Sequence, residues 1–134
     1  MISAISHITF VVRDLDRTAT FLEQIFEAKE VYSRENNSGP TVKYFVVNDL
    51  WIALNKGEPA PERTYNHIAF QISESEFDDY VAKIKSIGAE IKPERPRVPG
   101  EGRSIYFYDF DNHLFELHTG TLDERLQHYQ KPRL

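Results

Sequence analysis

Apolar and polar side chains alternate along His7-Ile8-Thr9-Phe10-Val11-Val12: Ile8, Phe10 and Val12 fall on one face, His7, Thr9 and Val11 on the other. A period of two predicts a β-strand with one covered side and one open side. The period then lengthens. Leu15, Ala19, Leu22 and Phe26 share one stripe, which predicts a helix over 15–26 with Asp14 as its N-cap. Short β-rich segments follow at 30–33, 43–47 and 51–55. The same order then recurs. His67-Ile68-Ala69-Phe70-Gln71-Ile72 repeats the opening strand at an offset of 60 residues. A second stripe of Phe77, Tyr80, Ile84 and Ile87 predicts a helix over 74–87, capped by Ser73 and stopped by Gly88. Further β-rich segments lie at 90–93, 104–109 and 114–118, and Leu117-His118-Thr119-Gly120 echoes Leu54-Asn55-Lys56-Gly57.

The chain therefore reads as an α+β protein of two tandem βαβββ modules, 1–57 and 65–120, within one structural domain. A Pro-rich linker spans 58–64, and a C-terminal helix and tail spans 121–134, with its helical pattern over 122–129. Each helix covers one face of its sheet. The other faces must meet something, and two modules side by side would form a curved sheet around a hollow able to take a ligand.

The His-bearing strand faces should line that hollow. A lone strand histidine is more often a hydrogen-bonded core residue than a ligand. His7 and His67, however, occupy repeat-equivalent positions. Glu116 sits between Phe115 and Leu117 in a strand that is otherwise suited to a core, so a partner for its carboxylate is expected. Two imidazoles and one carboxylate suit a divalent cation with open coordination positions; Mn²⁺, Fe²⁺, Ni²⁺ and Zn²⁺ all fit that donor set. His113, His118 and His128 lack such equivalents and are assigned structural or surface roles. A Pro/Gly loop over 92–104 carries Arg95, Arg97 and Arg103 and leads into Ser104-Ile105-Tyr106. Alone it would read as a solvated charged loop. Beside a metal, and with Arg125 in the tail helix, it suits a phosphate or phosphonate.

Composition narrows the partners. The 134 residues are 40% hydrophobic, enough for a core, and the net charge of −5 argues against a nucleic-acid partner. No apolar run approaches membrane-spanning length and no secretory pattern opens the chain, so no membrane partner and a cytoplasmic location are expected. With no cysteine, the chain has no disulfide, no zinc–thiolate site and no thiol nucleophile of its own.

The paired modules with His7, His67 and Glu116 resemble the vicinal oxygen chelate (glyoxalase/bleomycin resistance) superfamily. Within it they resemble the fosfomycin-resistance enzymes, over almost the whole chain. The most specific stretches are Ser6-His7-Ile8-Thr9, Tyr65-Asn66-His67-Ile68-Ala69-Phe70, and the run from Arg95 through Gly100-Glu101-Gly102-Arg103-Ser104-Ile105-Tyr106-Phe107-Tyr108 to Asn112-His113-Leu114-Phe115-Glu116-Leu117-His118-Thr119-Gly120. In overall wording the chain looks most like the FosX branch. The resemblance implies a divalent metal, usually Mn²⁺, on His7, His67 and Glu116. It places Thr9 near the epoxide oxygen and Ser104, Tyr106 and Arg125 at the phosphonate; Arg97, Arg103 and Tyr65 are carried as further substrate contacts. It also implies a homodimer with exchanged modules. Glu101 and Ser104 match the potassium loop of the FosA branch, with Gly100 in place of a serine, so K⁺ is carried as a further candidate ion.

One departure bears on the chemistry. FosX-type hydrolases carry a water-activating glutamate where this chain has Val42, and Tyr44 stands where thiol-transferring FosA and FosB have tyrosine. Water needs a positioned base, whereas a thiol, with a reference pKa of about 8.5, ionises readily. The expectation is epoxide opening by a low-molecular-weight thiol (glutathione, bacillithiol or cysteine), with Tyr44 assisting. Hydration by water is the alternative, Glu35 being a substitute base only if its loop folds inward. A non-catalytic drug-binding resistance protein is the second alternative, and glyoxalase or dioxygenase chemistry is a further one.

Overall fold

The computed structural model describes residues 1–129; the last residues of the expected tail, 130–134, lie outside the described residues. The element order is β1 (His7–Val12), α1 (Leu15–Phe26), β2 (Lys29–Asn36), β3 (Gly39–Val47), β4 (Leu50–Lys56), β5 (His67–Gln71), a 3₁₀ turn (Glu74–Glu76), α2 (Phe77–Ser86), β6 (Glu90–Lys92), β7 (Ser104–Tyr108), β8 (Leu114–His118) and α3 (Leu122–Tyr129). The βαβββ repeat is therefore present twice, in an α+β fold. Contacts divide the chain into two units, Met1–Arg63 with Asp109–His113, and Thr64–Tyr108 with the described residues from Leu114 on.

Each unit holds one four-stranded sheet, ordered β1-β4-β3-β2 in the first and β5-β8-β7-β6 in the second. In both, the opening strand runs parallel to the last strand of its module, and the other neighbours are antiparallel. The parallel pair is possible because a helix and two strands intervene.

Helix α1 starts where Asp14 accepts a hydrogen bond from the Arg17 N–H, and it ends at Glu27, whose φ of 55° is left-handed. It buries Leu15, Thr18, Ala19, Phe21, Leu22 and Ile25. Val12, Phe45, Ile52 and Leu54, from the sheet of the same unit, are likewise buried. The second helix departs from expectation at its start. Residues 74–76 form a 3₁₀ turn, and the Ser73 hydroxyl bonds the Glu76 carboxylate and the Ser75 hydroxyl instead of capping a backbone N–H. Ile72, Phe77, Ile84, Ile105, Phe107, Phe115 and Leu117 are among the buried apolar residues of the second unit. Gly88, at φ +79°, supplies the left-handed stop.

The two opening strands behave as their alternation requires. In β1 the positions of His7, Thr9 and Val11 are exposed while Ile8, Phe10 and Val12 are partly or fully buried, and in β5 His67, Ala69 and Gln71 are exposed while Ile68 and Phe70 are half-buried. Each sheet thus has a helix-covered face and a histidine-bearing open face.

Candidate metal centre

The open face of the second sheet gathers most of the chemistry. Residues paired across strands share a face. Ala69 pairs with Glu116, which pairs with Tyr106; Gln71 pairs with His118, which pairs with Ser104. Glu116, Tyr106, His118 and Ser104 therefore stand on the same side as His67. Glu116 is only 5% exposed, and its carboxylate has the partners its burial demands. Ser104 Oγ donates to Oε2 at 2.6 Å, and Arg97 Nη2 lies 3.9 Å from the same oxygen. His67 Nε2 lies 2.9 Å from Oε1.

That last contact tests whether a cation fits. The Tyr65 carbonyl can only accept, and it lies 2.6 Å from His67 Nδ1, so Nδ1 carries the hydrogen. In the neutral imidazole Nε2 is then a lone pair aimed at a carboxylate lone pair. Two acceptors at 2.9 Å need a positive centre to share, either a proton or a metal ion. Imidazole nitrogen beside carboxylate oxygen, with the second imidazole nitrogen fixed on a backbone carbonyl, is the arrangement of a ligating histidine. The residues present therefore fit a divalent cation. Among the described residues no group of three or more His, Asp or Glu side chains converges; His67 and Glu116 are two of the three ligands expected from the sequence.

Around this pair lie groups suited to an anion. Arg97 Nη2 donates to the Tyr106 hydroxyl at 3.1 Å, and the Tyr65 hydroxyl donates to the same oxygen at 3.4 Å. Burial first, then the Tyr65 hydrogen bond and the nearby Glu116 charge, push the Tyr106 phenol above its ordinary value, so it stays protonated. Arg97 Nε and Nη1 are buried without a hydrogen-bond partner. Arg125 Nη2 donates weakly to the Glu101 carbonyl at 3.4 Å and approaches His118 Nε2 at 3.5 Å.

One sequence expectation gains detail here and another needs correction. His118, assigned a structural or surface role, has its Nδ1 2.7 Å from Ser104 Oγ, and burial holds its pKa below the usual histidine value. The available signal was the β7–β8 hairpin register, which sets Ser104 opposite His118. Arg103, expected at the substrate, is engaged elsewhere. It precedes Ser104 and so points to the other face, pairing with Glu74 at 3.0 Å and lying 3.7 Å over the Phe77 ring.

Glu101, expected at a potassium loop, is 4% exposed and already engaged. Arg95 Nη2 donates to it at 2.8 Å, the Val98 N–H at 2.8 Å and the Tyr129 hydroxyl at 2.9 Å. The Arg95 hydrogen bond, followed by that of Val98, holds its pKa at about 2. Gly100 adopts φ +88°, and a Cβ there would collide with the His128 ring.

The open face of the first sheet carries His7, Thr9, Tyr44 and Trp51. Its ladder rows are Lys29, Val46, Trp51 and His7; Tyr32, Tyr44, Ala53 and Thr9; Arg34, Val42, Asn55 and Val11. The His7 and Trp51 rings stack at 4.1 Å, and Tyr44 meets Trp51 edge-on at 5.1 Å. No carboxylate stands in these rows. Glu35 lies in β2, not in a loop, and is exposed.

Comparison with known proteins places this geometry. Residues 4–117 match the Glyoxalase/Bleomycin resistance protein/Dioxygenase superfamily. Fosfomycin resistance protein FosX of Listeria innocua is 60% identical over 98% of this chain and 100% of its own length. Metallothiol transferase FosB of Shouchella clausii is 43% identical over 98% of this chain and 90% of its own. Two crystal structures of Listeria monocytogenes FosX superpose with a TM-score of 0.90, at 59% and 58% identity, over 97% of this chain and 100% of theirs. One holds Mn(II) and sulfate; the other, a mutant, holds Mn(II) and 1S,2S-dihydroxypropylphosphonic acid. The chain belongs to the glyoxalase/bleomycin resistance/dioxygenase superfamily and, within it, to the family that holds the fosfomycin resistance proteins FosX and the metallothiol transferases FosB.

Proposed function

We propose that the chain is a metal-dependent enzyme that inactivates fosfomycin by opening its epoxide ring, as a cytoplasmic homodimer. The observation that carries this reading is the convergence of the His67 and Glu116 lone pairs, 2.9 Å apart, beside an arginine whose buried Nη1 has no partner and whose buried Nε has only an ion-pair contact with Glu94. A drug-binding protein without catalysis has no need of that ligand pair.

His67, Glu116 and His7 would hold the ion, His7 coming from a second copy of the chain; Mn²⁺ is the candidate because the Listeria monocytogenes FosX structures hold it. The exposed histidine faces of β1 and β5 are consistent with such an assembly. A bound divalent cation supplies Lewis acidity toward oxygen. The side chains do the rest. Arg97 and Arg125 take the phosphonate through charge-assisted hydrogen bonds, and the protonated Tyr106 hydroxyl adds a neutral one. Tyr65 closes over Tyr106. Holding the phosphonate fixes the carbon for back-side attack, with Thr9 toward the ring oxygen. One epoxide C–O bond breaks, a bond from the nucleophile to that carbon forms, and the nucleophile's proton ends on the freed oxygen.

A thiol is the nucleophile that the first sheet favours, because Tyr44 stands on its open face and no carboxylate does. Hydration is the second reading. It is favoured by the higher identity to FosX than to FosB and by the dihydroxy phosphonate bound to FosX. Incubation with fosfomycin and Mn²⁺, with and without glutathione, cysteine or bacillithiol, tests both. Adduct only with thiol supports transfer, diol without thiol supports hydration, and no turnover under either condition rejects the enzymatic reading. Chelation with EDTA should abolish turnover and added Mn²⁺ should restore it.

A further inference from the structure

Ser104 Oγ is 2.6 Å from Glu116 Oε2 and 2.7 Å from His118 Nδ1, and His118 Nε2 is 3.5 Å from Arg125 Nη2. Donor counting orders this chain in one way. Glu116 Oε2 accepts from Ser104, so the single Ser104 hydrogen goes to it. Ser104 has then no hydrogen left for His118, so His118 Nδ1 must donate. Arg125 only donates, so His118 Nε2 must accept. Hydrogens therefore run from Arg125 to His118 to Ser104 to Glu116, and the imidazole is held as the Nδ1–H tautomer.

We propose that His118 is a positioning residue for the metal ligand Glu116, acting through Ser104: it commits the Ser104 hydrogen to Oε2 and so leaves Oε1 turned toward His67. The inference rests on the metal reading above and reassigns Ser104 from the phosphonate to the carboxylate. It also explains why His118, at the end of β8 and half-buried, carries an imidazole where its equivalent in the first module is Asn55. The first sheet has Ala53 where the second has Glu116, and so has no carboxylate there to orient.

Two measurements test it. The first is long-range ¹⁵N–¹H correlation NMR of the unaltered, metal-free protein, with His118 assigned from the spectrum of His118→Gln. The expected result is the Nδ1–H tautomer; the Nε2–H tautomer overturns the chain of hydrogen bonds. The second is the Mn²⁺ dissociation constant, read from the electron paramagnetic resonance of free Mn²⁺. Removing a group that orients a metal ligand typically weakens binding by about 10–100-fold. His118→Ala and Ser104→Ala should both show a loss of that order. His118→Asn, whose amide N–H can stand in for Nδ1–H, should recover most of it. Circular dichroism melts identify any variant that fails to fold, and if His118→Gln is one of them, through-bond correlations in the unaltered protein assign His118 instead, so the tautomer is read either way. A His118→Ala protein that folds and binds Mn²⁺ as tightly as the parent overturns the proposal. If the parent itself takes up no Mn²⁺, the metal reading fails, and this proposal fails with it, whichever tautomer is found.

Discussion

The imidazole of His7 lies against the indole of Trp51, with ring centroids 4.1 Å apart and 30° between the planes. The contact follows from register: His7 and Trp51 are paired across the parallel strands β1 and β4, on the open face. It also makes Trp51, the chain's one tryptophan, a reporter on a proposed metal ligand. Mn²⁺ binding at His7 should quench Trp51 emission. The same titration of His7→Ala should leave emission flat. Equal quenching in that variant would remove His7 from the site.

Arg97 has a different signature. Its buried Nη1 has no partner, Nε makes no hydrogen bond and has only an ion-pair contact with Glu94 at 3.3 Å, and Nη2 already bonds Tyr106. Unmet donors of this kind are costly in a resting protein and are satisfied when an anion arrives. A charge-assisted hydrogen bond contributes roughly 1.5–3 kcal/mol. Arg97→Met should therefore raise the fosfomycin KM by roughly 10–150-fold by the same arithmetic, while Mn²⁺ affinity changes much less. A Met variant with unchanged KM would free Arg97 from the phosphonate.

The nucleophile can be moved by design. Val42 and Tyr44 sit two residues apart on the open face of β3, opposite Asn55 and Ala53. Tyr44→Phe should slow the thiol reaction and leave any reaction with water unchanged. Val42→Glu places a carboxylate on that face and should create or raise thiol-independent diol formation. Product analysis by ³¹P NMR separates the two. If Val42→Glu folds and gives no diol, base placement at this position is not what selects the nucleophile.

Much of this was legible in the residues. The two periods, the 60-residue repeat and the odd carboxylate in β8 identify the modules, their open faces and a buried Glu116 that requires partners. What the sequence hides is set by pairing across strands. His118 has no repeat-equivalent histidine, so its place opposite Ser104 emerges only from the β7–β8 register. Arg103 looks like its neighbour Arg97 in a basic loop, but the strand that begins at Ser104 turns its side chain to the helix side, where Glu74 and Phe77 hold it. The 3₁₀ entry to α2 is equally local: the Ser73 side chain has a closer partner in Glu76 than in any backbone N–H.

Glu101 links the loop to the tail helix and gives the last prediction. Its carboxylate takes hydrogen bonds from Arg95, the Val98 N–H and Tyr129, and with them its pKa falls to about 2 from an unfolded value of 4.5. A folded-state pKa below the unfolded one means that the native state favours the ionised form. The stabilisation is complete above pH 4.5 and is lost as pH falls through about 2. Glu101→Gln should accordingly melt at lower temperature than the parent near neutrality, with the gap closing between those two pH values. The same engagement bears on potassium. Arg95 already places a positive charge on the carboxylate that a K⁺ ion would use, and Gly100 offers no side-chain oxygen beside it. Turnover should then be the same in K⁺ and Na⁺ buffers of equal ionic strength for the parent. A several-fold activation by K⁺ would mean that the ion displaces Arg95, and the Glu101→Gln variant would lose that activation.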